Sequence, residues 1–239
     1  MFRPLFSCIA FVILTLIGSV LAIPSGIIDR TGDLVLRLAR WWARGVLASG
    51  GVRLHVRSRA VLERGRPYVF MSNHLSLVDV WAVLIAVPVP LRFIAKKQLG
   101  AIPLFGWAMR AGRFIFIDRQ NPVLARKSIE EAARRVRGGQ SVVIFPEGTR
   151  SRDGRTGPFK KGGFHLAMSA GVDIVPVAIR GSREVMPRGS ALIYPGDVSI
   201  EIDQPIPTAG LTPEDREALV DRVRARIVTM LDEPDPARS

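Results

Sequence analysis

Only three histidines occur in these 239 residues, and one of them, His74, stands in the stretch Met71-Ser-Asn-His-Leu-Ser-Leu-Val-Asp79. An imidazole with a carboxylate nearby can act as a general base. The carboxylate holds one ring nitrogen and fixes the tautomer, and the other nitrogen takes a proton. On a single helix, residues five apart lie about 140° apart, so His74 and Asp79 would not face each other there. The apolar run Tyr68–Ser72 instead reads as a buried strand, and Ser76-Leu-Val-Asp79 as a capping box that opens the next helix. His74 then falls in the turn at the strand's C-terminal end, with Asp79 in the first helical turn. A reversal of the chain at that point can bring the two together. Read alone, the stretch also fits a capped turn whose histidine bonds only to backbone. Ser76 as a nucleophile lacks the surrounding G-x-S-x-G elbow.

Two other segments end in cationic groups. Phe145-Pro-Glu-Gly-Thr-Arg-Ser151 follows the apolar run Ser141–Phe145, and Gly112-Arg-Phe-Ile-Phe-Ile-Asp-Arg119 closes another short run. The forked guanidinium of Arg150 or Arg119 suits a phosphate or carboxylate, which it can bind through two parallel bonds. Open α/β sheets build their sites at the C-terminal ends of strands. Three such ends would here supply a base, its carboxylate and two cationic clamps.

These ends need a sheet to hold them. Strands are expected at Val52–Arg57, Tyr68–Ser72, Leu91–Ala95, Phe114–Ile117, Ser141–Phe145, Ile174–Ile179, Ala191–Tyr194 and Val198–Ile202. Helices are expected at Leu77–Ala86, Pro103–Arg110, Pro122–Arg137, Gly162–Ala170 and Pro213–Leu231. The clearest helix is Pro122–Arg137. Asn121 is placed to cap it, Pro122 suits its first position, Glu130–Arg134 and Glu131–Arg135 support it, and Gly138-Gly139 stop it. The alternation predicts an α/β class with a mixed, largely parallel sheet flanked by helices, preceded by an N-terminal membrane-associated helical segment. The expected organisation is an anchor and basic amphipathic helix over 1–50, a catalytic domain over 51–233 and a frayed tail over 234–239.

Charge narrows the partners. The chain carries a net charge of +13, made of −5 from Ser190 onward and +18 before it. A basic body suggests an anionic partner: nucleic acid, lipid headgroups or a phosphorylated substrate. Nucleic acid is disfavoured, because no helix-turn-helix, zinc or RNP pattern occurs and the charge is scattered. One cysteine, Cys8, and three separated histidines offer no metal-ligand spacing. From Pro4 to Ile28 no residue is charged. Leu5 to Ile23 as a helix would reach about 28 Å, near the thickness of a bilayer's hydrocarbon. The same run could be a secretory leader cut after Ala22. The following helix, Leu34–Ser49 with Asp33 as its cap, carries Arg37, Arg40 and Arg44 on one stripe, suited to a membrane interface or to a solvated face. Nine arginines against two carboxylates between Arg30 and Arg66 would put the body on the cytoplasmic side.

With these pieces assembled, the chain resembles the glycerolipid acyltransferase family, specifically the 1-acyl-sn-glycerol-3-phosphate acyltransferases. The resemblance is carried by Asn73-His74-x4-Asp79, Gly112 to Arg119, Phe145-Pro-Glu-Gly-Thr-Arg150 and Val175-Pro-Val-Ala-Ile179, with Phe159-Lys-Lys-Gly162 also fitting. It implies that His74 takes the proton of a lysophospholipid acceptor's hydroxyl as that oxygen attacks an acyl thioester, and that Asp79 orients His74. It further implies that Arg119 and Arg150 hold the acceptor's phosphate, that Glu147, Gly148 and Thr149 shape the acceptor site, and that Lys97 matches a basic position. The donor would be acyl-CoA or acyl-carrier protein, with no cofactor, and the product phosphatidic acid. The apolar Leu77 and Val78 lie in a region that varies among related enzymes. Another lyso-lipid acceptor, whether a lyso-aminolipid or a lysophospholipid, therefore stays open, with a membrane-tethered nucleic-acid-binding protein as the remote alternative.

Overall fold

The computed structural model describes residues 2–118, 121–235 and 237. Two long helices come first, α1 (Phe2–Ile28) and α2 (Asp33–Gly50), followed by strands β1 (Val52–Ser58) and β2 (Val69–Ser72). Helix α3 (Val78–Ala86), strand β3 (Leu91–Lys96), a 3₁₀ turn at Lys97–Ala101, helix α4 (Phe105–Ala111) and strand β4 (Ile115–Ile117) come next. The remainder is α5 (Pro122–Arg137), β5 (Ser141–Ile144), α6 (Gly162–Ala170), β6 (Ile174–Arg180), α7 (Ser182–Val185), β7 (Gly196–Ile202) and α8 (Arg216–Asp232). The expected α/β sheet is present, in the order β1-β7-β6-β2-β5-β3-β4. The five strands from β6 to β4 are parallel; β7 runs antiparallel to β6, and β1 parallel to β7.

Side chains of the central strands alternate between two buried layers. Phe70, Val143 and Val175 point toward α2 and α3, while Val69, Met71 and Val142 point toward α5, α6 and α8. A strand covered on both faces needs a continuous apolar run, which is why these segments carry almost no polar residues. Helix α5 starts as expected, with the Asn121 side chain accepting from the N–H groups of Val123 and Leu124. Its Glu131–Arg135 pair forms at 3.0 Å, but Glu130 turns to Arg126 instead of Arg134.

Two local expectations change. Ala191–Tyr194 is not a strand. Its apolar content serves packing: Ile193 is buried against Gly50, and the N–H of Tyr194 bonds to the Val185 carbonyl rather than to a ladder. Helix α2 takes its cap from Asp29 rather than Asp33. Asp29 Oδ2 accepts from Leu34 N at 2.7 Å, across a turn in which Gly32 has φ +79°. A bond from the Thr31 hydroxyl, together with this one, holds the Asp29 carboxyl down at about 2.

Helix α2 buries Val35, Leu36, Ala43, Val46 and Leu47 into the molecule's own core. Arg40 of its basic stripe is committed inside the protein, donating to the carbonyls of Leu84, Val87 and Val89 at 2.7–3.0 Å. The Leu84 and Val87 carbonyls are left over at the C-terminal end of α3 and Val89 lies in the turn that follows, and a cation there also meets the helix dipole favourably. Helix α1 lies along α2 and α4. Phe11 meets Trp42 and Trp81, the Trp42 indole N–H reaches the Thr15 hydroxyl at 3.1 Å, and a β-carbon on Gly26 would come within 2.5 Å of Ala111 Cβ. Its opposite face leaves Leu5, Ile9, Ile13, Leu16 and Val20 exposed. By length and composition α1 is able to cross a membrane. An apolar stripe of that length, unpartnered by protein, marks a membrane-associated helix.

Candidate active site

The site follows from strand register. Met71 of β2 lies opposite Ile144 of β5 on one side and Pro176 of β6 on the other. Three residues further along these parallel strands come His74 and Glu147, in the turns beyond β2 and β5, and Ile179, still paired with Ile200 near the end of β6, so three segments far apart in sequence meet at one level. The Asn73 amide ties two of them together: its Nδ2 donates to the Ile179 carbonyl, and its Oδ1 accepts from Ile179 N, both at 2.9 Å.

His74 and Asp79 meet. His74 Nδ1 lies 2.8 Å from Asp79 Oδ2, which also accepts from Leu75 N at 2.6 Å and Ser76 N at 2.8 Å. The bond from Ser76 N is the carboxylate half of the anticipated capping box, and it places the buried charge at the positive end of α3. Asp79 Oδ1 has no partner among the described residues, so the carboxylate is held through Oδ2. The imidazole stacks on Phe145, with centroids 4.1 Å apart and an interplanar angle of 18°, and its side chain is 16% exposed. With Nδ1–H donating to Asp79, Nε2 carries the lone pair. Packing on one face and a carboxylate at one end leave the ring little freedom to turn.

Glu147 does not reach outward. Its Oε1 accepts from His74 N at 2.9 Å and its Oε2 from Gly157 N at 3.0 Å. Burial pushes this carboxyl above the ordinary glutamate range, although the two N–H bonds oppose the shift. Gly148 has φ +74°, and a β-carbon there would come within 3.0 Å of Lys160 Nζ. The glycine therefore allows both the turn and the close approach of that ammonium.

The Arg150 loop is joined to the His74 turn: the residue after Arg150, Ser151, donates its N–H to the His74 carbonyl at 2.8 Å. The side chain of Arg150 makes no hydrogen bond or ion pair with the described residues. Asp153, three residues further on, is occupied by the Ser151 hydroxyl and Arg155 N. Thr149 is exposed on the same loop. Lys97 lies on the rim beyond β3, two strand spacings or roughly 10 Å from β2, and pairs with Asp118 at 3.4 Å. Arg119 lies outside the described residues. His55 bonds to Asp197 on the β1–β7 edge, and His165 is exposed on α6, so neither reaches the His74 site.

Sequence reasoning singled out neither Asn73 for its clamp nor Lys160 for its place beside Gly148. Both lie inside segments it did quote. What was missing was the level of three strand ends, which no spacing along the chain reveals.

An imidazole held by a buried carboxylate, beside a loop whose Arg150 guanidinium is unpaired among the described residues, is chemically able to abstract a proton next to an anionic group. A family model described as Acyltransferase matches residues 53–180, and the chain belongs to that acyltransferase family. A chloroplast 1-acyl-sn-glycerol-3-phosphate acyltransferase of Brassica napus is 40% identical over 141 residues, covering 59% of this chain and 41% of that protein. The human 1-acyl-sn-glycerol-3-phosphate acyltransferase beta is 36% identical over 182 residues, covering 76% of this chain and 66% of that protein. The chain thus spans less than two thirds of these relatives. The crystal structure of the 1-acyl-sn-glycerophosphate acyltransferase from Thermotoga maritima superposes with a TM-score of 0.81 at 26% identity, covering 98% of both chains.

Proposed function

We propose that the protein transfers a fatty acyl group from a thioester, acyl-CoA or acyl-carrier protein, to the sn-2 hydroxyl of lysophosphatidic acid, giving phosphatidic acid. The observation that carries this reading is the contact between the two parts of the site. An imidazole oriented by Asp79 is hydrogen-bonded through its own main chain to the loop that bears Arg150. The relatives' names agree with it.

In this mechanism Nε2 of His74 removes the hydroxyl proton as the oxygen attacks the thioester carbonyl. Asp79 stabilises the imidazolium that forms. The tetrahedral intermediate then collapses: the new C–O bond stays, the C–S bond breaks, and the thiolate takes the proton back from the imidazolium. A thioester is already activated, so neither an acyl-enzyme nor a cofactor is needed. Arg150 binds the acceptor's phosphate through its fork, helped by Lys160, with Arg119 and Lys97 supplying further positive charge and Thr149 lining the loop. Glu147 and Gly148 set the loop's shape.

The acceptor reaches the site from a membrane. The exposed apolar face of α1 rests in the bilayer, and the arginine excess between Arg30 and Arg66 favours the cytoplasmic face. Nucleic acid has no part in this reading. The test is an acyl-transfer assay with purified protein in phospholipid vesicles, using both thioester donors and a panel of lyso-lipids. Phosphatidic acid is the expected main product. Faster transfer to a lyso-lipid without a terminal phosphate would replace lysophosphatidic acid as the acceptor.

A further inference from the structure

The peptide group between Arg150 and Ser151 is gripped from both sides. Its N–H donates to the His74 carbonyl at 2.8 Å, and its C=O accepts from Arg188 Nη1 at 3.1 Å. Arg188 is an exposed residue of the loop after α7, and it lies beyond the segment 53–180 matched by the family model.

The same kind of support continues along the loop. Arg183 Nη2 donates to the Arg152 carbonyl at 3.0 Å, and Arg224 reaches the carbonyls of Thr156 and Gly157 at 3.0 and 3.2 Å. The stretch from Gly148 to Gly157 belongs to no strand or helix, and two of its glycines have positive φ. Its outer carbonyls therefore rest on three arginines delivered by α7, the loop after it, and α8.

We propose that Arg188 is a positioning residue that acts through the Arg150–Ser151 peptide to aim the Arg150 guanidinium relative to His74, and so sets affinity for an acceptor bearing a phosphomonoester. This rests on the acyl-transfer reading above. A peptide unit is planar, so holding its C=O and its N–H together fixes the direction in which the Arg150 backbone enters the turn. A charged donor on the carbonyl makes a stronger bond than a neutral one, and it polarises the same peptide so that the N–H donates more strongly to His74. Arg188 thus reinforces the link from the phosphate-binding residue to the base through the main chain, with no hydrogen bond to either side chain among the described residues. Misplacement of a clamp by about 1 Å is enough to cost up to 10²-fold in rate.

The test compares wild type, Arg188→Met and Arg188→Lys in full-length protein reconstituted in vesicles. With lysophosphatidic acid, Arg188→Met is expected to raise the acceptor KM roughly tenfold, the equivalent of one charge-assisted hydrogen bond of modest strength. The donor KM stays level and the lysine variant recovers part of the loss. With a lyso-lipid lacking a terminal phosphate, the acceptor KM barely moves. Hydrogen exchange supplies a readout independent of activity: the Ser151 amide exchanges faster in Arg188→Met, while amides of β5 and α3 keep their protection. An unchanged KM for lysophosphatidic acid overturns the proposal even where exchange quickens, and so does an equal rise on both acceptors. Should the wild type transfer nothing to lysophosphatidic acid, the activity reading falls, and an unaltered Ser151 exchange rate would then overturn the tether as well.

Discussion

The main-chain N–H of His74 donates to Glu147 Oε1 at 2.9 Å, while the other oxygen of the same carboxylate takes the N–H of Gly157. Glu147 therefore bridges the turn that carries His74 and the far end of the loop that carries Arg150. A glutamine at this position has a single acceptor oxygen, so one of the two N–H groups would face an amide NH₂. Leaving a buried donor unsatisfied costs about 1–3 kcal/mol. Glu147→Gln should lose stability in that range, measured by urea unfolding, and should lower kcat because His74 loses its main-chain anchor. A variant with wild-type stability and turnover would show that the bridge is dispensable.

Glu147 also makes stability depend on pH. Its carboxyl is raised in the folded protein, chiefly by burial. Between the unfolded and folded pKa values the native state keeps a proton that the unfolded chain has released, so stability falls as pH rises through that window. The contribution is fully present below the unfolded value of about 4.3. Subtracting the urea midpoints of Glu147→Gln from those of the wild type should give a difference that shrinks as pH rises above that value. A difference that grows with pH would contradict the assigned direction.

Removing the His74 imidazole should separate chemistry from folding. His74→Ala is expected to lose roughly 10²–10⁴-fold in transfer rate. It also forfeits the stack on Phe145, an aromatic contact contributing about 0.5–1.5 kcal/mol. Thermal unfolding should thus shift only slightly while turnover collapses. Near wild-type turnover of the purified variant would rule out His74 as the base.

Arg150→Lys keeps the charge and loses the fork. The acceptor KM for lysophosphatidic acid should rise with little change in the donor KM, and a lyso-lipid without a terminal phosphate should be affected less. Steady-state kinetics on the two acceptors decide the matter. An equal loss on both would mean that Arg150 does not read the phosphate.

Helix α1 is expected to serve both membrane and fold. Deleting residues 1–28 would strip Phe11 and Thr15 from Trp42, so the truncated protein should show a lowered Tm in detergent instead of behaving as an independent domain. Leu16→Lys, on the exposed face, should instead weaken vesicle binding and leave the Tm in detergent near the wild-type value. A lysine at the centre of a bilayer costs about 2.5–3.5 kcal/mol on insertion scales. Vesicle co-sedimentation and thermal unfolding of the two variants distinguish these roles, and a truncated form of undiminished Tm would remove the structural one.

Much of this molecule was legible in the order of its residues. Apolar runs buried on both faces can form little but central strands, so β2, β5 and β6 were found within a residue or so, and Asn121-Pro122 placed the start of α5. The pairing of His74 with Asp79 was also legible, because a strand end followed by a helix start leaves one geometry in which they touch. The segment Ala191–Tyr194 misled because an apolar run signals burial without saying what it is buried against; here Ile193 fills the space at Gly50. The basic stripe of α2 was legible in part: Arg37 and Arg44 are exposed, as a solvated face requires, and Arg40 alone turns to the protein. Periodicity puts Arg37, Arg40 and Arg44 on one side, but only the assembled fold brings the free carbonyls at the end of α3 to Arg40. The site's supporting contacts belong to the same class. Asn73 meets Ile179, Glu147 meets His74, and Arg188 meets Arg150 across separations of 106, 73 and 38 residues. Such meetings depend on strand order and register, which are settled when the whole sheet packs between its helices. Local sequence specifies which groups are able to bond, and the register of neighbouring strands selects the ones that do.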